Sequence, residues 1–243
     1  GVYKIKITDT KTGTNKTIFS KKVVAAAGPY NGILMKDVAP YFRDLISPKR
    51  LFLSFLKINS EKYDMLTSDQ KNRLLSSYPV AYLNSEIFYS MIEKFDRDQR
   101  PLLKVGGHFL RTEIKDLDEV WAMQLTEEEI QWSKKNTVDY LAKLNLPIKS
   151  SDLEFVKGYS CVYSLTESEV PYVTNAIINR VDIDSNFVLV GGMSGIGAKG
   201  SLAYGLIAAD HLLGHKSDSF MYQKTKSAMG TERLIVDLEN IDK

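Results

Sequence analysis

The chain has 243 residues, 44% hydrophobic and 26% charged, enough apolar material for one large or two small cores. Its 32 basic and 30 acidic residues are spread along the sequence and leave a formal charge of +2, so no electrostatic footprint points to nucleic acid or a membrane surface as partner. No apolar run approaches the roughly 20 residues that span a bilayer, and residues 1–9 alternate polar and apolar unlike a secretion signal, which makes a cytoplasmic protein the expectation.

A single cysteine, Cys161, cannot form an internal disulfide. His108, His211 and His215 do not cluster at metal-ligand spacing, and no metal is expected.

Taken in chain order, residues 2–8 alternate like a half-buried strand, 9–15 carry turn residues around Gly13, and 17–27 form a second, increasingly buried strand ending at Gly28. The sequence opens inside this strand-like pattern, as it would if an upstream portion had been removed. Residues 51–58 read as a strand, 67–75 as a helix or polar loop, and 80–92 alternate again. Residues 100–114 read as one strand. The segment 126–144 opens on Thr126-Glu-Glu-Glu129, acids in a first helical turn, and continues with helical spacing through Ile130, Val138, Leu141 and Leu144. Residues 154–165 and 172–178 read as strands, 187–190 as a short buried one, and 201–213 as an apolar helix stopped by Gly214. The stretch 215–229 is polar and turn-rich, and 234–238 reads as a short strand or tail.

Between the buried strand and that helix lies Gly191-Gly-Met-Ser-Gly-Ile-Gly-Ala-Lys-Gly200. Backbone N–H groups and a positive helix end meet there, which suits an anion or an electron-rich oxygen. Gly195-Ile-Gly197-Ala-Lys-Gly200 satisfies GxGxxG, but a dinucleotide fold needs a second strand with an acid about 20 residues on, and the remaining sequence is mostly polar. Glycines packing a helix tightly on a sheet are the plainer alternative to a loop that touches some other part of a cofactor, which is the reading preferred. A nucleophile elbow is excluded, because Ile196 stands where its second glycine is required.

Three segments in order carry a resemblance: Val23-Val-Ala-Ala-Ala-Gly28, Lys104-Val-Gly-Gly-His108, and Cys161-Val-Tyr-Ser with Gly192-Met-Ser-Gly-Ile-Gly-Ala-Lys199. Together they resemble the D-amino-acid-oxidase-like flavoenzymes, most of all the monomeric sarcosine oxidase branch. The resemblance implies FAD as cofactor and a small amine or amino acid as substrate. It implies that Ala27 and Gly28 let backbone approach the cofactor, where an ordinary strand end is the alternative. Lys104 would lie over the flavin and favour its reaction with oxygen, and His108 would line the substrate cavity. On the strand expected there, positions four apart share a face. Without the family, a solvated lysine and a partly buried histidine would be the reading.

The resemblance places Cys161 where that branch attaches FAD through a thioether, whereas a lone cysteine is otherwise a small buried hydrophobe. Gly192, Ser194, Gly195, Ile196 and Gly197 match the loop at the flavin pyrimidine edge, and Lys199 the residue that helps hold the substrate carboxylate. Ile196 and Ala198 depart from the branch, which commonly has His and an aromatic there, and this puts the substrate's identity in doubt.

The fold class expected is α+β: a mixed-sheet substrate-binding domain with helices over residues 30–153, and the strands and helix of an incomplete Rossmann-like FAD-binding domain over 1–29 and 154–243. The amino-terminal GxGxxG segment, and with it a carboxylate-pairing arginine, would come from a missing segment or a partner chain. A related 2-hydroxy-acid dehydrogenase, or a non-catalytic fragment or subunit, is the alternative.

Overall fold

A computed structural model describes residues 1–76, 80–82, 87–110, 112–114, 116–178, 182–214 and 219–241. The chain opens with strands β1 (Tyr3–Thr8), β2 (Asn15–Ser20) and β3 (Val23–Ala25), short helices α1 (Asn31–Leu34) and α2 (Phe42–Leu45), and the long strand β4 (Ser47–Ile58). Helices α3 (Ser60–Asp64) and α4 (Ser68–Ser76) precede strands β5 (Val80–Tyr82), β6 (Phe88–Phe95), β7 (Pro101–Gly106) and β8 (Thr112–Glu113). Helices α5 (Leu117–Val120) and α6 (Glu127–Lys143) follow, then strands β9 (Leu153–Leu165), β10 (Tyr172–Ile178) and β11 (Asp182–Gly191), and helices α7 (Gly197–Leu213), α8 (Phe220–Met229) and α9 (Thr231–Ile241).

Two compact units result: Gly1–Pro48 with Tyr163–Lys243, and Lys49–Val162. The first keeps α1 and α2 because Met35, Tyr41, Phe42 and Ile46 are buried in its core. The unit boundaries therefore fall after residues 48 and 162, whereas the expected domain limits were 29/30 and 153/154.

In the first unit, β11 is the centre of a three-stranded sheet, antiparallel to β10 and parallel to β3. Phe187 and Leu189 of β11 join Ala25, Phe42, Tyr172, Leu234 and Leu238, while Val188 packs with Tyr204, Ile207 and Ala208 of α7. A strand covered on both faces reads as a continuous apolar run, which is why only 187–190 stood out although β11 extends from Asp182 to Gly191. Among the described residues β3 has no neighbour on its other edge. The β1–β2 hairpin closes on Asp9, whose carboxylate accepts from Lys11 N at 2.8 Å and Thr12 N at 3.1 Å, and on Gly13 at φ +70°.

Four expectations are corrected here. The strand expected over 17–27 is two, because Ser20 Oγ donates to Lys22 O at 2.6 Å and makes a turn between β2 and β3. Helix α7 starts at Gly197, four residues before its apolar stretch. Residues 220–229, expected to be turn-rich, are helical, capped by Ser219, whose side chain accepts from Tyr222 N. Residues 234–238 belong to α9, where Leu234 and Leu238 are buried while Val236 between them, which a strand would put on the same face, is exposed. His215 lies outside the described residues.

The second unit is a sheet ordered β5-β6-β7-β4-β8, with β9 also paired to β4. One face carries Phe52, Leu56, Phe88, Leu103 and Val105 against Trp132 and Leu141 of α6. Thr126 and Glu129 form a reciprocal capping box that starts α6. The same Glu129 carboxylate receives both terminal nitrogens of Arg50 on β4, with the pair 1% and 5% exposed; Arg50 Nε also donates to Ser160 Oγ on β9 at 2.9 Å. The strand expected over 100–114 ends at Gly106, where a Cβ would lie 2.5 Å from the Tyr89 ring, and resumes only as the two residues of β8. Among the described residues no helix is long and apolar enough to cross a membrane.

Candidate functional site

In the first unit, the glycine loop occupies residues 192–196 between β11 and α7. Gly192 sits at φ +71°, and a Cβ there would come within 2.3 Å of Thr166 Cγ2; Gly195 sits at φ +81°, and its Cβ would lie 2.5 Å from the Tyr163 ring. Both positions thus demand glycine twice over, for backbone conformation and for space. Ser194, itself at φ +47°, fastens the loop: its N–H donates to Ser164 O at 2.9 Å, its hydroxyl donates to Gly192 O at 3.1 Å and accepts from Thr166 N at 3.4 Å. The hydroxyl of Ser164 is buried without a hydrogen-bond partner among the described residues. Helix α7 has no side-chain cap at Ile196, which leaves the positive end of a 17-residue helix open to a ligand, although the Lys199 N–H of its first turn already donates to Ile196 O at 3.0 Å. Ile196 and Lys199 are exposed, and Lys199 places a cation in that first turn, where the dipole disfavours it.

Beside this loop the chain leaves β3 through Ala27 and Gly28, the latter at φ +56°. Asn31, fully buried, joins the two places: its Oδ1 accepts from Ala27 N at 2.9 Å and its Nδ2 donates to Val190 O at 2.8 Å, one residue before Gly191. Gly28, Met193 and Gly197, with Val24, Ser201 and Gly205, line an open hollow of about 340 Å³. The structure therefore brings Ala27, Gly28, Gly192, Ser194, Gly195 and Gly197 into one neighbourhood. Sequence reasoning missed Asn31. Its signal was an amide one residue past a Gly-Pro-Tyr turn, which if buried needs partners for both its polar atoms.

In the second unit, Lys104 pairs across the sheet with Phe55 and Met91, on the face opposite the α6 core. Its ammonium is held by Glu93, Nζ to Oε2 at 2.5 Å. Strand alternation puts Cys161 opposite Ser160, which faces Arg50, and so on the same side as Tyr159, which packs against Phe55. Lys104 and Cys161 thus share one sheet face. Burial pushes the Cys161 thiol above its ordinary range, an effect the Arg50 cation partly offsets. His108 does not lie on that strand: it sits in the bend beyond Gly106, so the shared-face argument linking it to Lys104 does not hold. Its neighbour Phe109 stacks on Trp132, ring centroids 5.3 Å apart and 10° from parallel, and fixes the bend to α6. Among the described residues no three His, Cys, Asp or Glu side chains gather as a metal site.

No family model matches the chain, and no curated protein matches it in sequence. Solved structures do match its fold. Fructosyl peptide oxidase from E. terrenum superposes at a TM-score of 0.62 and 16% identity, over 93% of this chain and 47% of that one. Fructosamine oxidase from Aspergillus fumigatus gives 0.56 and 15%, over 88% and 45%, and iminodiacetate oxidase from Chelativorans sp. gives 0.54 and 12%, over 90% and 50%. The chain has the mixed α and β fold found in these oxidases, and it spans about half their length.

Proposed function

We propose that the chain is the carboxy-terminal part of an FAD-dependent oxidoreductase acting on a small amine or amino acid, of the kind found in the sarcosine oxidase branch. The observation that carries this reading is the fastened loop of Gly192, Ser194 and Gly195 at an uncapped helix end, joined through Asn31 to the Gly28 turn. It offers bare backbone and N–H donors where side chains have no room, which suits the flat, electron-rich edge of a flavin. The fold likeness to oxidases of amino compounds supports the same reading.

When bound, the flavin supplies the two-electron chemistry, taking a hydride from the substrate carbon that bears the amine. The chain's own residues would do the rest. Gly28, Gly192, Ser194, Gly195 and Gly197, with Ala27 and Ile196 beside them, approach the ring. The α7 end steadies negative charge gathered at its pyrimidine edge. Lys199 meets the substrate carboxylate, and His108 lines the substrate cavity. Lys104 supplies positive charge from the open face of the second unit's sheet. Cys161, on that face, is the position for a thioether to the flavin, although its burial raises the thiol and disfavours the thiolate that such a bond needs.

The nucleotide half of FAD needs a strand, glycine turn and helix of its own. Strand β3, parallel to β11 and open at its other edge, is where such a strand would add, and the hollow between Val24 and the Gly197, Ser201, Gly205 line of α7 is where its helix would rest. The test is the visible spectrum and intact mass of the protein carrying that upstream segment, before and after acid precipitation. Flavin absorbance is expected, retained in the pellet with a matching mass gain if Cys161 is the attachment point and lost from a Cys161→Ser variant. A colourless protein that takes up no FAD on titration overturns the reading.

A further inference from the structure

The formal charge of +2 conceals a local excess. Residues 1–22 hold six lysines, Lys4, Lys6, Lys11, Lys16, Lys21 and Lys22, against one acid, Asp9, a net charge of +5 and not the even spread expected from the whole-chain balance. All of them lie on or beside the β1–β2 hairpin. Lys22 is engaged, its Nζ donating to Leu212 O in the last turn of α7, but among the described residues the ammonium groups of the other five have no hydrogen-bond or ion-pair partner. Asp9 does not answer them, since its carboxylate is committed to the turn through Lys11 N and Thr12 N. Like charges gathered on a two-stranded ribbon repel one another, so the arrangement is unfavourable for the isolated hairpin. The same hairpin keeps an aromatic ring in water. Phe19 is 67% exposed and lies directly across the ladder from Lys4, with Lys6 on the diagonal; residues opposed in an antiparallel pair stand on one face, so the ring and these two cations point the same way. Among the described residues no ring or cation–π contact occupies Phe19. The Tyr3 ring fastens the base of the hairpin, packing edge-on against Phe187 while its hydroxyl donates to Asp184, and from Lys6 to Phe19 every residue is exposed.

We infer that the Lys4, Lys6 and Phe19 face of this hairpin is a docking surface for an anionic lipid bilayer. A two-stranded ribbon offers a flat face from which side chains stand upright, and here they are of the two kinds a membrane surface takes. The unpaired ammonium groups meet phosphate and carboxylate headgroups, which relieves their mutual repulsion, and the ring enters the boundary between headgroups and acyl chains, which removes it from water. A nucleic acid fits the same charge less well. Residues 1–22 have no arginine for bidentate contacts to phosphates or bases, and Phe19 is a single free ring where strand binding stacks successive bases on several. This surface is independent of the cofactor reading above.

Co-sedimentation of the purified chain with vesicles tests this, using equal parts phosphatidylcholine and phosphatidylserine beside phosphatidylcholine alone. Binding is expected to the first and not to the second, and it should weaken as salt is raised. Lys4→Gln with Lys6→Gln should lower the partition constant by roughly 25-fold, at about fivefold per lysine, while Lys134→Gln with Lys135→Gln on α6 should leave it unchanged. Phe19→Trp should emit further to the blue on the anionic vesicles than in buffer, the signature of a ring that has left water. Equal binding to both kinds of vesicle, binding to neither, or an unchanged constant after the paired Lys4 and Lys6 change overturns the inference. So does binding to a single-stranded oligonucleotide with none to vesicles.

Discussion

Removing the Arg50 side chain while leaving Glu129 in place should be among the most destructive single changes in the second unit. Both groups are almost fully buried, and the Glu129 carboxylate is shared between the guanidinium and the Thr126 N–H of the capping box. Arg50→Met strands a carboxylate in the interior, which costs about 3–5 kcal/mol, and it frees Ser160 Oγ from the Arg50 Nε–H. The double change Arg50→Met with Glu129→Leu removes the stranded charge and should recover most of that loss. The remaining deficit should be about 1 kcal/mol for the lost half of the capping box, the same size as Thr126→Ala alone. Both tryptophans, Trp121 and Trp132, belong to this unit, so urea unfolding followed by tryptophan fluorescence reports on it specifically. If Arg50→Met shifts the unfolding free energy by less than about 1 kcal/mol, or the double variant is no better than the single one, the pair is not the buried clamp described above.

The first unit should lose stability in mild acid through His211. Its Nε2 is buried without a partner among the described residues, and burial, followed by the Lys226 charge, lowers its affinity for a proton below the ordinary 6.5. Below about pH 6.5 the unfolded chain binds a proton that the folded chain resists, so stability falls by up to about 1.4 kcal/mol per pH unit; urea midpoints by circular dichroism from pH 7.5 to 5.5 should show the slope, and His211→Phe should flatten it. Gly192→Ala should combine roughly 1–2 kcal/mol of backbone strain at φ +71° with the clash against the Thr166 methyl. Thr166→Ser, which removes the methyl but keeps the hydroxyl bonded to Val170 O, should recover the clash component in thermal melts and leave the strain. Trp132→Leu should destabilise by about 3 kcal/mol or more, because the indole packs on Phe52, Phe88 and Phe109 at once.

Much of this was legible in the residues. The apolar run at 187–190, the acids after Thr126 and the glycine past Leu213 each name their element through burial, capping or handedness. What stayed hidden depended on tertiary partners. The end of β7 at Gly106 is set by the Tyr89 ring lying over it from another strand, so the spacing of Lys104 and His108 suggested a common face that the chain does not make. In α9, Leu234 and Leu238 fit either period over so short a stretch, and the β10–β11 sheet decides between them. The glycines of the loop were visible, but not how Ser194 fastens it, because its polar atoms go to Ser164, Gly192 and Thr166, partners that only the folded chain brings together. The slip in register between Ile92 and Lys94 where β6 pairs with β7 leaves no trace in composition or periodicity, because an inserted residue in a strand looks like any other until its partner strand is known.

Asn31 is followed by Gly32, the dipeptide in which a backbone nitrogen most easily attacks an asparagine side chain and converts it to aspartate. Folded into α1, with its amide engaged on both sides, Asn31 is held out of the geometry that reaction requires. An unfolded or partly unfolded chain has no such protection. Once converted, the side chain would present an oxygen instead of an N–H to the Val190 carbonyl, two acceptors face to face in the interior. The tie between the Gly28 turn and the glycine loop therefore carries a chemical clock, one that runs in the unfolded protein and stops on folding, so preparations refolded after long storage in denaturant should accumulate a one-dalton-heavier species in which that tie is broken.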